Sequence, residues 1–327
     1  ESADSKQSAR SLLAGLRLAP SLRDWPSVIG LLVSVATDAI CLSALERCLE
    51  VCEFSVDDLQ ALRRELDRED REFTPVFALY GDRATGNCFF ERELAGSSGQ
   101  VRRFIPGWPE ALAFRYNERV GRVIDICLLP VWQRLDRMRA LEGDTEPKGK
   151  IRRFLRVLDD AVVPRYTWLV RAKVRSHARL RAARAALAVE EWRLRHGTWP
   201  DSPEQLVPGL MEAFPEDAFS GGPIRYRKTA NGVVLYSIGI DGEDNGGLSE
   251  DEAYERLGPP EYEPEAWDLP FRLLNPELRG AATLTFREEM MDSWLNLRDL
   301  EEAGFTKEKL LELGFTHEDI QELEGRR

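Results

Sequence analysis

The chain has 327 residues, of which 43% are hydrophobic and 31% charged, enough for about two domains that each bury a core. This composition excludes a disordered chain, a collagen-like chain and a small disulfide-rich protein. The formal charge is −12, and residues 241–327 hold 24 Asp and Glu against 9 Lys and Arg, so the acidic excess is C-terminal. Because the whole chain is acidic, nucleic acid is not an expected partner.

The first 160 residues predict helices separated by short polar connectors, since apolar residues recur at spacings of three and four. The most apolar run, residues 28–44, contains Ser34, Thr37 and Asp38 and is shorter than the roughly 20 residues of a membrane-spanning helix. It therefore predicts a buried helix. The chain shows no signal peptide or membrane anchor, so either one would belong to a longer precursor.

Five cysteines leave at least one thiol unpaired. Cys41, Cys48 and Cys52 share one helical face, where i, i+4 geometry is poor for a disulfide and no histidine lies nearby in sequence for a zinc site. These three predict core positions. The sequence leaves a pairing of Cys88 with Cys127 open.

A long helix is predicted to begin after Pro164 and to end at His196, with Gly197 as its stop. Seven Lys and Arg, and no acid, lie between Asp160 and Glu190. The first interpretation of this basic face is a binding surface for phosphates or an anionic membrane. The second is a face that is solvated or paired with acids of the same chain. The acidic composition favours the second interpretation, and a further hypothesis is that the acidic C-terminal region docks on this helix.

The residues after Gly197 predict strands. Residues 224–229 and 233–238 alternate in polarity around Asn231-Gly232, which is a strong hairpin signal. Because a lone hairpin is marginally stable, it should pack on the long helix. The predicted fold is α+β, with a helical domain at 1–163, a helix-plus-hairpin module with an acidic loop at 164–258, and an acidic tail with short tandem helices at 259–327.

The hairpin is followed by the acidic sequence DGEDNGGLSEDE, residues 241–252. Its spacing from Asp241 follows the template of calcium loops, in which oxygen donors occupy positions one, three, five and twelve around a central glycine. The candidate ligands are Asp241, Glu243, Asp244, Asn245 and Glu252, and the predicted cofactor is Ca²⁺. A strand enters the loop, so a helix-loop-helix hand is not implied. The alternative is a hydrated acidic turn, and Mg²⁺ accepts an all-protein oxygen cage less readily.

Three runs in the second half of the chain resemble the soluble part of the major pseudopilins of type II secretion. They are AALAVEEWRLRHGTWP at 185–200, PEDAFSGGPIRY at 215–226 and YSIGIDG at 236–242. The family patterns are a helix, NG-x-YP, P-x-DPWG-x-PY-x-Y and SxGxDG…GG. The resemblance covers residues 178–247, roughly a fifth of the chain.

The resemblance implies a helix packed on an antiparallel sheet, with calcium bound through Asp241 and also Asp244 and Asn245. It also implies a bacterial, extracytoplasmic setting, periplasmic or on the cell surface. The chain departs from the family in two places: mostly helical residues replace the N-terminal pilin helix, and residues 217–220 lack the proline and glycine of the DPWG turn. Filament building is therefore not carried over.

The sequence contains no GxSxG elbow, no HExxH motif and no phosphate-binding loop. Glu190 and Glu191 are adjacent on a helix and point to different faces, so they do not form a catalytic pair. We therefore expect a non-enzymatic, calcium-stabilised assembly or scaffold protein with a protein partner, linked to a secretion or pilus-like system. The alternative is a hydrolase or carbohydrate-acting enzyme with carboxylates in an interdomain cleft.

Overall fold

The fold is α+β, which confirms the predicted class: helices and a small antiparallel sheet surround one long helix. The structure is a computed structural model that describes residues 3–23, 25–72, 75–96, 108–143, 165–257, 267–279, 296–302, 305–312 and 315–326. The helices before the sheet are α1 (Ala3–Arg23), α2 (Val28–Val51), α3 (Val56–Glu72), α4 (Val76–Gly96), α5 (Trp108–Cys127), α6 (Val131–Gly143) and α7 (Thr167–His196).

Helix α7 has 30 residues and is the axis of the fold. All residues from 185 to 191 are buried. Because successive helical residues point about 100° apart, seven consecutive buried residues mean that α7 is covered on every side. The helix ends as predicted, since Gly197 adopts a left-handed φ of +76° and its N–H donates to the carbonyl of Arg193.

Three arginines of the basic segment of α7 are paired with acids of the chain, in line with the second interpretation. Arg181 and Arg184 donate to the carboxylate of Asp70 on α3 at 2.9 and 2.7 Å. Arg175 pairs with Glu250 at 2.9 Å, so one partner does come from the acidic C-terminal region. The wider hypothesis of tail docking stays a prediction.

The described sheet is antiparallel throughout and has the strand order β1-β2-β3, with β1 (Arg225–Thr229), β2 (Gly232–Ser237) and β3 (Leu269–Leu274). The pair β1–β2 is the predicted hairpin. The whole of β2 is buried, and Leu235, Phe271 and Leu273 share a hydrophobic core with α7. The sheet therefore lies across α7 as predicted, but the third strand was not predicted.

Two hydrophobic cores meet along α7. The first joins the C-terminal half of α7 with α1, α2, α3 and the sheet, and the second joins its N-terminal half with α4, α5, α6 and the start of α2. The helices before residue 144 thus share cores with the module that follows. Both predicted domain boundaries, at 163/164 and 258/259, fall outside the described residues and stay predictions.

The C-terminal region begins with α8 (Glu250–Leu257) and ends with α9 (Leu297–Glu302), α10 (Lys307–Glu312) and α11 (His317–Gly325). The short tandem helices predicted in the tail are α10 and α11, which follow Phe305-Thr306 and Phe315-Thr316. Thr316 accepts the N–H of Asp319, whose carboxylate accepts the N–H of Thr316 at 2.6 Å. Leu310, Phe315 and Leu323 belong to the small core of this region.

Helix α2 is longer and less buried than predicted, so the interpretation of residues 28–44 as a buried helix is wrong. By length and composition α2 could cross a bilayer, a test that core helices of soluble proteins also pass. Only 33% of its most apolar stretch is buried. The reason is that its neighbours cover one face alone, which leaves Ile29 and Ile40 74% and 70% exposed.

The five cysteines form no disulfide, so Cys88 and Cys127 are not joined in the structure. Cys41 and Cys127 are buried, whereas Cys48 and Cys52 are half-buried and Cys88 is exposed. Burial raises the pKa of the Cys127 thiol to about 11.

A half-buried carboxyl joins α2 to the sheet. Glu46 on α2 accepts the backbone N–H of Arg272 at 2.7 Å, at the edge of β3 that faces away from β2. Burial raises the pKa of Glu46 to about 7, and the charge of Glu50 also raises it, while the hydrogen bond from Arg272 opposes the shift.

Replacing Glu46 with glutamine should remove a pH dependence of stability. A carboxyl whose pKa rises from 4.5 to about 7 on folding stabilises the protein fully below pH 4.5, and this stabilisation is lost as the pH rises through 7. Between about pH 5 and about pH 8, urea denaturation should show the wild type losing up to about 3 kcal/mol relative to Glu46→Gln. Identical pH profiles for the two proteins would contradict this role.

Candidate functional site: the acidic loop after the second strand

The acidic loop leaves β2 at Ser237 and reaches α8 at Glu250, and glycines shape its turns. Gly239 and Gly242 adopt left-handed φ angles of +74°, and Gly246 and Gly247 adopt +73° and +82°. A Cβ on Gly239 would lie 2.3 Å from the carbonyl oxygen of Trp267. The loop therefore begins with a close backbone approach that only glycine allows.

Asp217, which lies in the turn before β1, anchors the start of the loop. This residue is 1% exposed, and its carboxylate accepts the hydroxyl of Ser237 and the N–H of Ile238. It also accepts the N–H of Phe219 at 3.1 Å and the hydroxyl of Ser220 at 3.0 Å. The turn at residues 217–220 is therefore tied to the end of β2 although it lacks the proline and glycine of the family motif.

Asp241 and Asn245 lie together at the outer side of the loop. The carboxylate of Asp241 accepts the N–H of Glu243 at 3.2 Å and the side-chain amide of Asn245 at 3.1 Å. The same amide group lies 3.4 Å from the carbonyl oxygen of Glu243. The oxygen atoms of the Asp241 carboxylate and of the Glu243 backbone carbonyl thus both face the side-chain amide of Asn245, while the side chain of Glu243 is exposed.

Asp244 faces the sheet. Its carboxylate accepts the hydroxyl of Tyr236 at 3.0 Å and the N–H of Gly246 at 3.1 Å, and it lies 3.5 Å from Nε of Arg225. Burial and this carboxylate together raise the pKa of Tyr236 to about 12. Asp244 is still about half exposed, so it can approach a cation from the outer side.

Asp268 is a site residue that sequence reasoning missed. It is fully buried directly before β3 and accepts the N–H of Gly247 at 2.6 Å and that of Asn245 at 3.5 Å. Burial, together with the nearby charge of Asp244, raises the pKa of Asp268. The only sequence signal is a single acid before an apolar strand, and it has meaning only once β3 is known.

Glu252, the predicted ligand at position twelve, has structural partners. It accepts the N–H of Ser249 at 2.9 Å as part of the cap of α8, and it pairs with Arg272 at 2.7 Å. Arg272 also donates to the carbonyl of Gly247 at 3.1 Å. Beside this group lies a cavity of about 400 Å³ between the loop and the outer face of the sheet.

The donor set of the loop fits a hard cation such as Ca²⁺, which prefers carboxylate, amide and carbonyl oxygens. The residues that could hold it are Asp241, Asp244, Asn245 and the carbonyl of Glu243. No group of three or more His, Cys, Asp or Glu side chains is gathered for metal binding in the part of the chain that the structure describes. Carbonyl and water oxygens would therefore complete the coordination.

Glu190 and Glu191, which the sequence predicted not to form a catalytic pair, are bound by arginine side chains. Glu190 and Glu191 are both fully buried and point to different faces, as predicted. Arg193 and Arg279 bind Glu190, whereas Gln60 and Arg63 of α3 contact Glu191. His196 stacks on Trp192 at the end of α7.

Comparison with known proteins found no family model that matches the chain and no significant match among curated proteins or solved structures.

Two glycines of the loop provide a matched test of its geometry. Both Gly239 and Gly242 have left-handed φ angles, but a Cβ would clash only at Gly239 and would meet nothing within 4 Å at Gly242. Gly242→Ala should cost about 1–2 kcal/mol from backbone strain alone. Gly239→Ala should cost at least about 2 kcal/mol more, because the backbone of Trp267 must move. Equal costs in urea denaturation would contradict the close approach at Gly239.

Proposed function

We propose that this chain is a non-enzymatic assembly or scaffold protein whose acidic loop binds Ca²⁺. The observation that carries the proposal is the loop itself, in which Asp241, Asn245 and the carbonyl of Glu243 converge on one glycine-shaped turn. The turn stands on a sheet packed across α7. A rigid platform with one cation-responsive loop suits a protein that presents surfaces to protein partners.

Ca²⁺ would act by offsetting the repulsion between neighbouring carboxylates. Asp241 and Asp244 lie within four residues, and the buried Asp268 accepts hydrogen bonds from the same loop. A divalent cation at this position lowers the cost of keeping these groups ionised. The loop would then be held at its outer side by the cation and at its inner side by Asp217 and Asp268.

The scaffold proposal is supported over the hydrolase by the state of the buried acids on α7. Glu190 and Glu191 are fully buried and engaged by arginines, so neither carboxylate is open to a substrate. A hydrolytic pair needs two facing carboxyl groups of which one stays protonated.

A bacterial extracytoplasmic location is part of the proposal, and so is the likeness to a pseudopilin module. Calcium-binding modules outside cells work with dissociation constants of about 10⁻⁴–10⁻³ M, which a partly exposed loop with few charged ligands can reach. A role in a secretion or pilus-like system would follow from that likeness.

Calcium titration followed by thermal melting tests the proposal. After metal is removed with chelator, Ca²⁺ at roughly a hundredfold excess over its dissociation constant should add about 2.7 kcal/mol and raise the melting temperature by several degrees. The double variant Asp241→Ala with Asp244→Ala should lose this shift because it removes two oxygen ligands.

The matched control removes two carboxylates elsewhere on the surface. Asp136→Ala with Glu277→Ala changes the net charge by the same amount at exposed positions and should keep the full shift. A wild type that does not respond to Ca²⁺, or a shift that survives in the loop variant, contradicts the calcium site.

A further inference from the structure

An apolar surface on α2 is left uncovered by the described residues. It consists of Ile29, Val33, Ala36 and Ile40, which are all exposed and spaced by four, three and four residues along one side of the helix, together with the exposed Trp25 just before the helix. Trp25 and Ile29 are each 74% exposed, and Ile40 is 70% exposed. We name this surface the α2 stripe.

The polarity of α2 is the reverse of that of an ordinary surface helix. Asp38 is the only charged residue between positions 28 and 45, and it is 2% exposed on the inner face beside the buried Ser34. Surface helices normally turn apolar residues inward and charged residues outward. The outer face of α2 is therefore suited to an apolar cover.

Helix α4 extends the apolar surface. Gly81 lies against the chain just before α2, since a Cβ there would be 1.7 Å from the carbonyl oxygen of Pro26. Phe77 and Tyr80, each 52% exposed, belong to the turn of α4 that leads to this contact. The rings thus continue the surface from Trp25 onto α4.

We propose that the α2 stripe is a dimer interface on which a second copy of the chain packs its own α2 stripe in antiparallel orientation. The spacing of Ile29, Val33, Ala36 and Ile40 is four, three and four, which is the seam spacing of packed helices. This pattern is symmetric about its midpoint. A twofold axis there places Ile29 opposite Ile40 and Val33 opposite the small Ala36, as a self-complementary interface requires.

The area agrees with a dimer. The large side chains of the α2 stripe and the two rings on α4 together expose roughly 700 Å² of surface per chain, since one aromatic side chain alone offers about 150–250 Å². Two copies would bury about 1,400 Å², within the range of about 1,200–2,000 Å² of stable interfaces. Patches on soluble monomers are typically about 300–600 Å².

Charge favours a second copy over a bilayer. Helices that lie on membranes flank their apolar face with Lys and Arg, and residues 25–46 contain neither. The net charge of −12 also opposes binding to anionic lipids. No charge of α2 lies on the stripe between Trp25 and Ile40, so none would face its own copy across the axis.

Sedimentation of the full chain in chelator-containing buffer tests the dimer independently of calcium. The wild type should have twice the mass of 37.2 kDa at micromolar concentration. Val33→Glu with Ile40→Glu should weaken self-association at least about a hundredfold, because it places a carboxylate near the axis and another at the end of the apolar seam of each copy. Phe114→Glu, at a 70% exposed position on α5, should remain dimeric.

A covalent test covers the case in which the glutamate variant fails to fold. In a Cys88→Ser background, Ala36→Cys should form a disulfide-linked or bismaleimide-linked dimer, whereas Glu277→Cys should not. A monomeric wild type, an unchanged dimer in the glutamate variant, or equal crosslinking at both positions overturns the proposal. A monomer that floats with phosphatidylcholine vesicles would also overturn it and assign the stripe to a lipid surface.

Discussion

The fold depends on how α7 accommodates the charges that it buries. Glu190 is fully buried and receives paired hydrogen bonds from Arg193, at 2.9 and 2.8 Å, and from Arg279, at 2.7 and 2.8 Å. Burial alone would raise the pKa of Glu190, but these hydrogen bonds outweigh it and hold the pKa below its ordinary value. An unpaired carboxylate at this depth would cost several kcal/mol, so both arginines must be in place when the core closes. Arg279 follows β3, and the network thereby fixes the end of the sheet to α7.

The position of the acidic loop follows from this constraint. Once β3 is fixed against α7, Asp268 lies directly below the loop and holds Gly247, while Asp217 holds the end of β2. The two buried carboxylates bond backbone N–H groups and leave Asp241 and Asn245 to point outward. Glu46 ties α2 to the same strand from its other edge, so the loop and the α2 stripe are presented by one connected framework.

Local patterns predicted the parts of the structure that depend on neighbours in sequence. The end of α7 at Gly197, the hairpin at Asn231-Gly232 and the short tandem helices of the tail require only a few adjacent residues. Strand β3 and Asp268 escaped prediction because their partners lie more than twenty residues away. The exposure of apolar residues on α2 was not predicted, because composition shows how apolar a helix is but not how many neighbours cover it. Within the loop, spacing indicated Glu252 as a ligand, and its ion pair with Arg272 was not predicted because the place of Arg272 depends on β3.

Terbium luminescence tests calcium binding by the loop directly, because Tb³⁺ occupies oxygen-rich calcium sites and is sensitised by nearby aromatic rings. Tyr236 donates its hydroxyl to Asp244 at 3.0 Å, so a cation held by Asp244 would lie beside this ring. If the loop binds calcium, Tb³⁺ should show sensitised emission that added Ca²⁺ displaces and that Asp241→Ala with Asp244→Ala abolishes. Absence of sensitised emission, or emission that the double variant retains, would contradict the claim that the loop binds calcium.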